Sequence, residues 1–430
     1  MQACPCPRPS RLKRSRELNQ VPRCLINRTV RKQTRGLVFR TRFAYYSGPM
    51  RTWGRALAGL GLMAGTLVAI AAIVALRSDA TPEVSQLAAP SPQLLFSELS
   101  GETTTFWLAR ADDPGNRRSL VTLSHRQGYG PRAALSPDGR YLAVTLLAPT
   151  AVDQGSDASL WLVEVPSGSA RQLVGGVDLR QTPRWADNSQ DIAFRRVVVL
   201  PGEPPLRRFD VLKGSVGRPG ESTVVASASS ADIQNFSPIA WTTDSRRVLL
   251  LRFARQGAEV WEADASGARS LARVSDGLAQ EFDRSPDGRY LAFVRPAADG
   301  GPNSIEALDL QAQSVRRLTT SAQALYSPVW SADSRTVAYG MANSADRRRS
   351  AVNRAGADGA ALSPLNAPAN DGFDIPHGWS QDGRFLAVRA LFGSSASEIT
   401  GESLVVIESA TARRVSVVAA GYVQFVAWLP

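Results

Sequence analysis

A phrase of about ten residues returns along this chain at nearly regular intervals, and that rhythm restricts the fold more than any other feature. The copies are LSPDGRYLAV at 135–144, WADNSQDIAF at 185–194, WTTDSRRVLL at 241–250, RSPDGRYLAF at 284–293, WSADSRTVAY at 330–339 and WSQDGRFLAV at 379–388. Their first residues are 50, 56, 43, 46 and 49 apart, and Trp428, another 49 residues on, opens a seventh copy. Such self-similarity belongs to solenoids, propellers and arrays, where a single unit cannot bury its own apolar faces.

Each copy reads as strand, tight turn, strand. An apolar residue, usually Trp, precedes a polar residue, a variable one, Asp or Asn, and Gly or Ser. Asp bonds back onto the backbone two residues on, and Gly tolerates positive φ. The run after the turn is aromatic and β-branched, as in Tyr141-Leu-Ala-Val, which predicts a strand. The rest of each interval supplies two more, such as 159–165 and 170–174, split by Pro166-Ser167-Gly168. Four short antiparallel strands repeated radially make a propeller blade.

The count predicts closure. Six units run from about 131 to 419, three unpaired strands precede them and the run from Gly421 to Pro430 follows. Three strands plus one make a further blade from both chain ends. The expected fold is therefore an all-β, seven-bladed β-propeller of four-stranded antiparallel blades over 93–430, closed by its N- and C-terminal strands. Trp185, Trp241, Trp330, Trp379 and Trp428 share one register and read as wedges between blades. Asp138, Asn188, Asp244, Asp287, Asp333 and Asp382 read as turn caps. Calcium would need their oxygens clustered, and they sit on separate blades.

Charge is segregated. The chain carries +12, yet residues 1–55 hold fourteen Lys or Arg against Glu17 alone, which leaves −1 for 56–430. A basic propeller docking on nucleic acid is not expected. Residues 56–76 (ALAGLGLMAGTLVAIAAIVAL) contain no charge. At about 1.5 Å per residue they span roughly 31 Å, a hydrocarbon core's thickness. The expectation is a basic cytoplasmic segment 1–55, one transmembrane signal-anchor helix 56–76, a linker 77–92 and the propeller across the membrane. The rival is a cleaved signal peptide starting at Met50, whose apolar core would be unusually long. Cys4, Cys6 and Cys24 all precede the helix, so no disulfide framework is expected in the propeller.

No motif for chemistry stands out. The only histidines are His125 and His377, and GxSxG, HExxH and the phosphate loop are absent. The expectation is a chain that is not an enzyme and holds no metal or cofactor. Connections between second and third strands are long at 148–158, 200–209 and 392–402, as are those between units at 175–183, 226–236 and 366–376. In a meander both sets lie on one face, and binding residues collect on variable loops. Tyr129, Arg132, Arg180, Arg184, Asp374 and His377 are the candidate contacts, around the channel mouth on that face.

The phrases at 136–144 and 285–293 resemble the propeller repeats of the TolB family, and related repeats occur in prolyl-oligopeptidase-type enzymes. The resemblance spans about 93–430. It implies an exported propeller acting through contacts rather than catalysis. The chain differs in its apparent anchor, in lacking room for a separate domain between Leu76 and Gln93, and in counting seven blades against six. The peptidase relatives carry a hydrolase domain after the propeller, and no such domain precedes Pro430. The expected function is a membrane-tethered extracytoplasmic binding module, anchored through 56–76, for an envelope protein, peptide or glycan partner. A lyase or hydrolase at the channel mouth is the alternative.

Overall fold

The computed structural model describes residues 90–430, apart from 154, 203–204, 231–233, 299–300, 343–348, 366–371, 394–398 and 419–420. The basic arm, the membrane helix at 56–76 and most of the expected linker lie outside the described residues. Among the described residues no helix is long and apolar enough to cross a membrane.

Seven antiparallel meanders form a β-propeller. The first blade takes its inner strand, Val423–Trp428, from the C-terminus and the other three, Gln93–Ser100, Thr103–Arg110 and Arg118–Ser124, from the start of the propeller. The inner strands of blades two to seven are Arg132–Leu135, Arg184–Trp185, Asn235–Trp241, Gln280–Arg284, Leu325–Trp330 and Gly372–Trp379. The closing register places Leu94 opposite Trp428 and Glu98 opposite Val423. Backbone bonds from Leu429 N to Gln93 O (2.8 Å) and from Leu99 N to Tyr422 O (3.0 Å) fasten its two ends.

Side chains alternate across each strand, so one strand serves two neighbours. Leu94 and Phe96 pack toward blade seven, while Leu95 between them packs toward blade two. Leu142 and Val144 face blade one, and Ala143 faces blade three. The core is accordingly a set of seven inter-blade clusters, one for every junction of a closed ring.

The expected turn capping is present. Asp138 Oδ1 accepts the Ser136 hydroxyl (2.6 Å) and the Arg140 amide (3.1 Å). Asp244, Asp287, Asp333 and Asp382 repeat this pattern. The Trp residues lie between blades, and three of them bond back to the preceding inner strand.

Two expected loops differ. Residues 200–209 and 392–402 largely continue as strands, giving extended hairpins Asp191–Leu200 with Leu206–Ser215, and Phe385–Gly393 with Ile399–Glu408. The β-branched run Val197-Val198-Val199 carries the ladder past the core, where Gly and Pro had signalled a loop. In blade six, a two-residue strand Arg349–Ser350 leaves its own blade and pairs in parallel with Gly372–Phe373 of blade seven.

Candidate functional site in the central channel

Inner strands run from the loop-rich face toward the tight turns, and five of the seven are interrupted at the same level. Ladder shifts place an extra residue at Ile239 in blade four, at Glu281-Phe282 in blade five, at Ser327-Pro328 in blade six, at His377 in blade seven and at Val426 in blade one. A β-bulge re-aims side chains and frees backbone groups, and bulges are common next to active sites. Glu281 and Ser327 take left-handed φ values of 56° and 48°. That region is costly for residues other than Gly. The Glu281 carboxylate accepts the Ser327 amide and so bridges two successive bulges.

These strands enclose a channel cavity of about 520 Å³. Its charged lining is Arg132, Arg184, Arg389, Glu281 and Glu402, with His377 beside them. Ser97, Thr182, Ser327 and Gln424 add neutral polar groups, and Tyr422, Phe425 and Val426 the apolar wall. Pro131 and Tyr422, at the starts of their inner strands, mark the loop-rich end.

The cations differ in their partners. Arg389 Nε donates to Glu402 Oε2 at 2.8 Å, so that pair is self-neutralised. Arg184 has no hydrogen bond or ion pair through its guanidinium among the described residues, and its Nε is a buried donor without an acceptor. Burial lowers its affinity for the proton, opposed by the charge of Asp283. Asp283 is half-buried beside the channel wall, where its carboxylate accepts the Trp330 amide at 2.8 Å. Burial pushes its pKa up to about 6, against that hydrogen bond and the charges of Arg184 and Arg284. Burial likewise raises Glu281. His377 stacks on Phe425 at 6.2 Å between ring centres. Burial, with Arg389 adding to it, pushes the imidazole down to about 4, so it is neutral above that pH.

Of the six sequence candidates, Arg132, Arg184 and His377 meet in this cavity. The other three stand elsewhere. Tyr129 is half-buried against the core between blades two and three, under the Arg126 guanidinium. Arg180 Nε bonds Asp178 at 2.7 Å. That same carboxylate holds Arg195, whose Nη1 reaches Asn235 (2.9 Å) and Ser237 (3.0 Å) of blade four. Arg180 therefore belongs to a cross-blade clamp. Asp374 is fully buried and bound by both terminal nitrogens of Arg414, at 2.6 and 3.0 Å. His125 is a structural residue: its Nε2 meets the Thr104 hydroxyl (2.9 Å) and its Nδ1 the Arg126 carbonyl (2.9 Å), with no exposed surface.

Sequence reasoning missed Glu281, Asp283, Arg389 and Glu402. A signal existed for one of them. The residue just before each phrase is Ala134, Arg184, Ala240, Asp283, Val329, Gly378 or Ala427, so two charges interrupt a small or apolar set. The two charges act on one another, Arg184 from the cavity lining and Asp283 from beside it. Arg389 is a charge inside the apolar strand FLAVRAL. Among the described residues, no group of three or more His, Cys, Asp or Glu is placed to hold a metal.

Neither a protein-family model nor a curated protein sequence matches the chain. Solved structures do. A prolyl endopeptidase superposes with a TM-score of 0.56 at 14% identity, over 78% of this chain and 49% of its own. The chain thus spans about half of that enzyme. An oligogalacturonate lyase in complex with manganese gives 0.50 at 13% identity, over 69% of this chain and 82% of that one. TolB from Acinetobacter baumannii gives 0.46 at 14% identity, over 79% and 67%. At these identities the likeness is one of fold.

The expectation that the chain is not an enzyme is corrected by these structures. Propellers of this architecture occur in a peptidase and in a lyase. A channel site gathers its side chains from several blades, so the lack of a linear motif does not decide the question.

Proposed function

We propose that the propeller is a binding module that receives a protein or peptide partner on its loop-rich face and seats part of it in the channel cavity. The observation that carries this is the placement of exposed apolar side chains. Val152, Val199, Leu206, Phe253, Leu278 and Ile399 all stand at or beside the connections of that face. Val152 is 80% exposed and Leu278 54%. Apolar groups held out on a rigid scaffold around a polar depression suit a partner surface. The proposal keeps the chain tethered through 56–76, with its basic arm cytoplasmic and the propeller outside at the envelope.

A photo-crosslinking amino acid placed in the full chain, in its own cells, tests the docking face. Positions 152, 199 and 278 are expected to yield a discrete adduct, and the turn-face positions 140 and 246 none. Adducts of equal yield on both faces, or on the turn face alone, would sink the reading.

A second reading is a lyase or hydrolase acting in the same cavity. It is favoured by the meeting of an imidazole, His377, and a carboxylate, Glu281, in one cavity. Turnover of a peptide or uronate substrate that His377→Ala abolishes, with crosslinking unchanged, would select it.

A further inference from the structure

We propose that the channel cavity is a receptor for a peptide carboxylate, anchored on the guanidinium of Arg184 with Arg132 nearer the mouth. This rests on the loop-face reading and names what the channel takes from the docked partner. The lining holds three guanidinium groups. Arg389 is matched by Glu402. Arg132 and Arg184 have no ion pair among the described residues. The acids nearby make no ion pair with either: Glu281 accepts the Ser327 amide and Asp283 the Trp330 amide, and the Asp283 charge acts on Arg184 only without direct contact. A guanidinium carries five donors in a planar fork that fits a carboxylate bidentately. An enclosed donor with no acceptor is a standing cost that such a ligand removes. Around the mouth stand the exposed aliphatic side chains of Val152, Val199, Leu206, Leu278 and Ile399, which suit the side chains of a peptide; Tyr422 and Phe425 line the cavity itself, so glucuronate is the competitor that separates a sugar acid from a peptide.

The proton inventory adds a direction. Asp283 competes with the ligand for the field of Arg184 and titrates near 6. The other groups acting on it are its neighbour Arg284, itself bound to Asp187, and the Trp330 amide. His377 stays neutral above about 4. A peptide carboxylate, with a pKa of about 3.5, remains ionised while Asp283 takes up its proton. Binding therefore tightens as pH falls from 7.5 to 5.5.

The test uses the immobilised full chain and a random octapeptide mixture in two forms, free acid and C-terminal amide, read by mass spectrometry of the retained fraction. The free acids are expected to be retained at least tenfold better, and more so at pH 5.5. Arg184→Gln should abolish that preference and Arg184→Lys keep part of it, both with the cooperative melt of the parent protein. Equal retention of acid and amide, a preference surviving Arg184→Gln, or retention of neither form would overturn the carboxylate receptor. Glucuronate or inorganic phosphate competing as well as the free peptides would also overturn it. Crosslinking at positions 152, 199 and 278 is read separately, so the docking face stands or falls apart from this ligand.

Discussion

The fifth position of the repeated phrase is Ser in three copies and Gly in three, and in five of the six it meets the preceding turn around the ring. Where it is Ser, its hydroxyl accepts an amide from the turn of the preceding blade. Asp138 N reaches Ser189 Oγ at 3.0 Å, Asn188 N reaches Ser245 at 3.1 Å, and Asp287 N reaches Ser334 at 3.1 Å. All three serines are held at positive φ. At two of the three Gly positions the neighbour has filled the space. A Cβ on Gly139 would lie 2.7 Å from Pro430, and one on Gly288 2.0 Å from the Thr243 methyl. Gly383 is the contrast, with nothing within 4 Å. Both Gly288 and Gly383 have φ near +70°, so Ala costs each about 1 kcal/mol in backbone strain. Gly288→Ala adds overpacking, roughly 1–3 kcal/mol more. Urea unfolding of the two variants should show that gap, and Thr243→Ser, which removes the methyl, should close most of it. Equal costs for Gly288→Ala and Gly383→Ala would mean the turns do not pack as described.

At the scale of the strand, the Trp register was readable because a wedge is needed wherever two twisted sheets diverge. How each indole is bonded was not, since the acceptor lies on another blade some fifty residues away. Trp185, Trp241 and Trp428 donate to Ala134, Arg184 and Gly378 carbonyls, each at 2.8 Å. The indole N–H groups of Trp330 and Trp379 are buried and unpaired. In blade five Arg284 replaces Trp. Its Nη1 donates to the Trp241 carbonyl at 2.8 Å while Nη2 bonds Asp187 of blade three, so a cation closes the junction that an indole closes elsewhere. Trp241→Phe and Trp330→Phe remove similar volume from cores where the parent residues are 1% and 4% exposed. Only the first also strips a carbonyl of its donor, so it should cost about 1 kcal/mol more. Denaturant midpoints at constant slope measure this directly. A larger loss at Trp330, which stacks on Tyr290 at 5.6 Å, would mean that ring stacking outweighs the hydrogen bond.

For the whole molecule, the sequence carried the blade count and the closure but little of the channel. Period and turn chemistry are local and repeat, so six phrases and two orphan ends imply a ring. The channel is built where blades differ: at five bulges, at two charges before the phrase, and at Arg389 on a second strand. Bulges depend on non-local pairing, and three of the six candidates lie outside the cavity because position in a loop does not fix position in the channel. Ring closure rests on one strand. Removing 421–430 exposes the edge of Gln93–Ser100 and takes Val423, Phe425 and Trp428 out of the cluster shared by blades seven and one. Three such side chains are worth on the order of 5–10 kcal/mol, comparable to the whole stability of a typical domain. The truncated chain should therefore lose its single cooperative transition in calorimetry and populate dimers or larger species through the bared edge. Adding the peptide 421–430 in trans should restore the transition, because the missing strand carries its own register in Trp428 against Leu94. A truncated monomer that melts like the full chain would show that the first blade holds without its inner strand and that the ring is not what gives the propeller its stability.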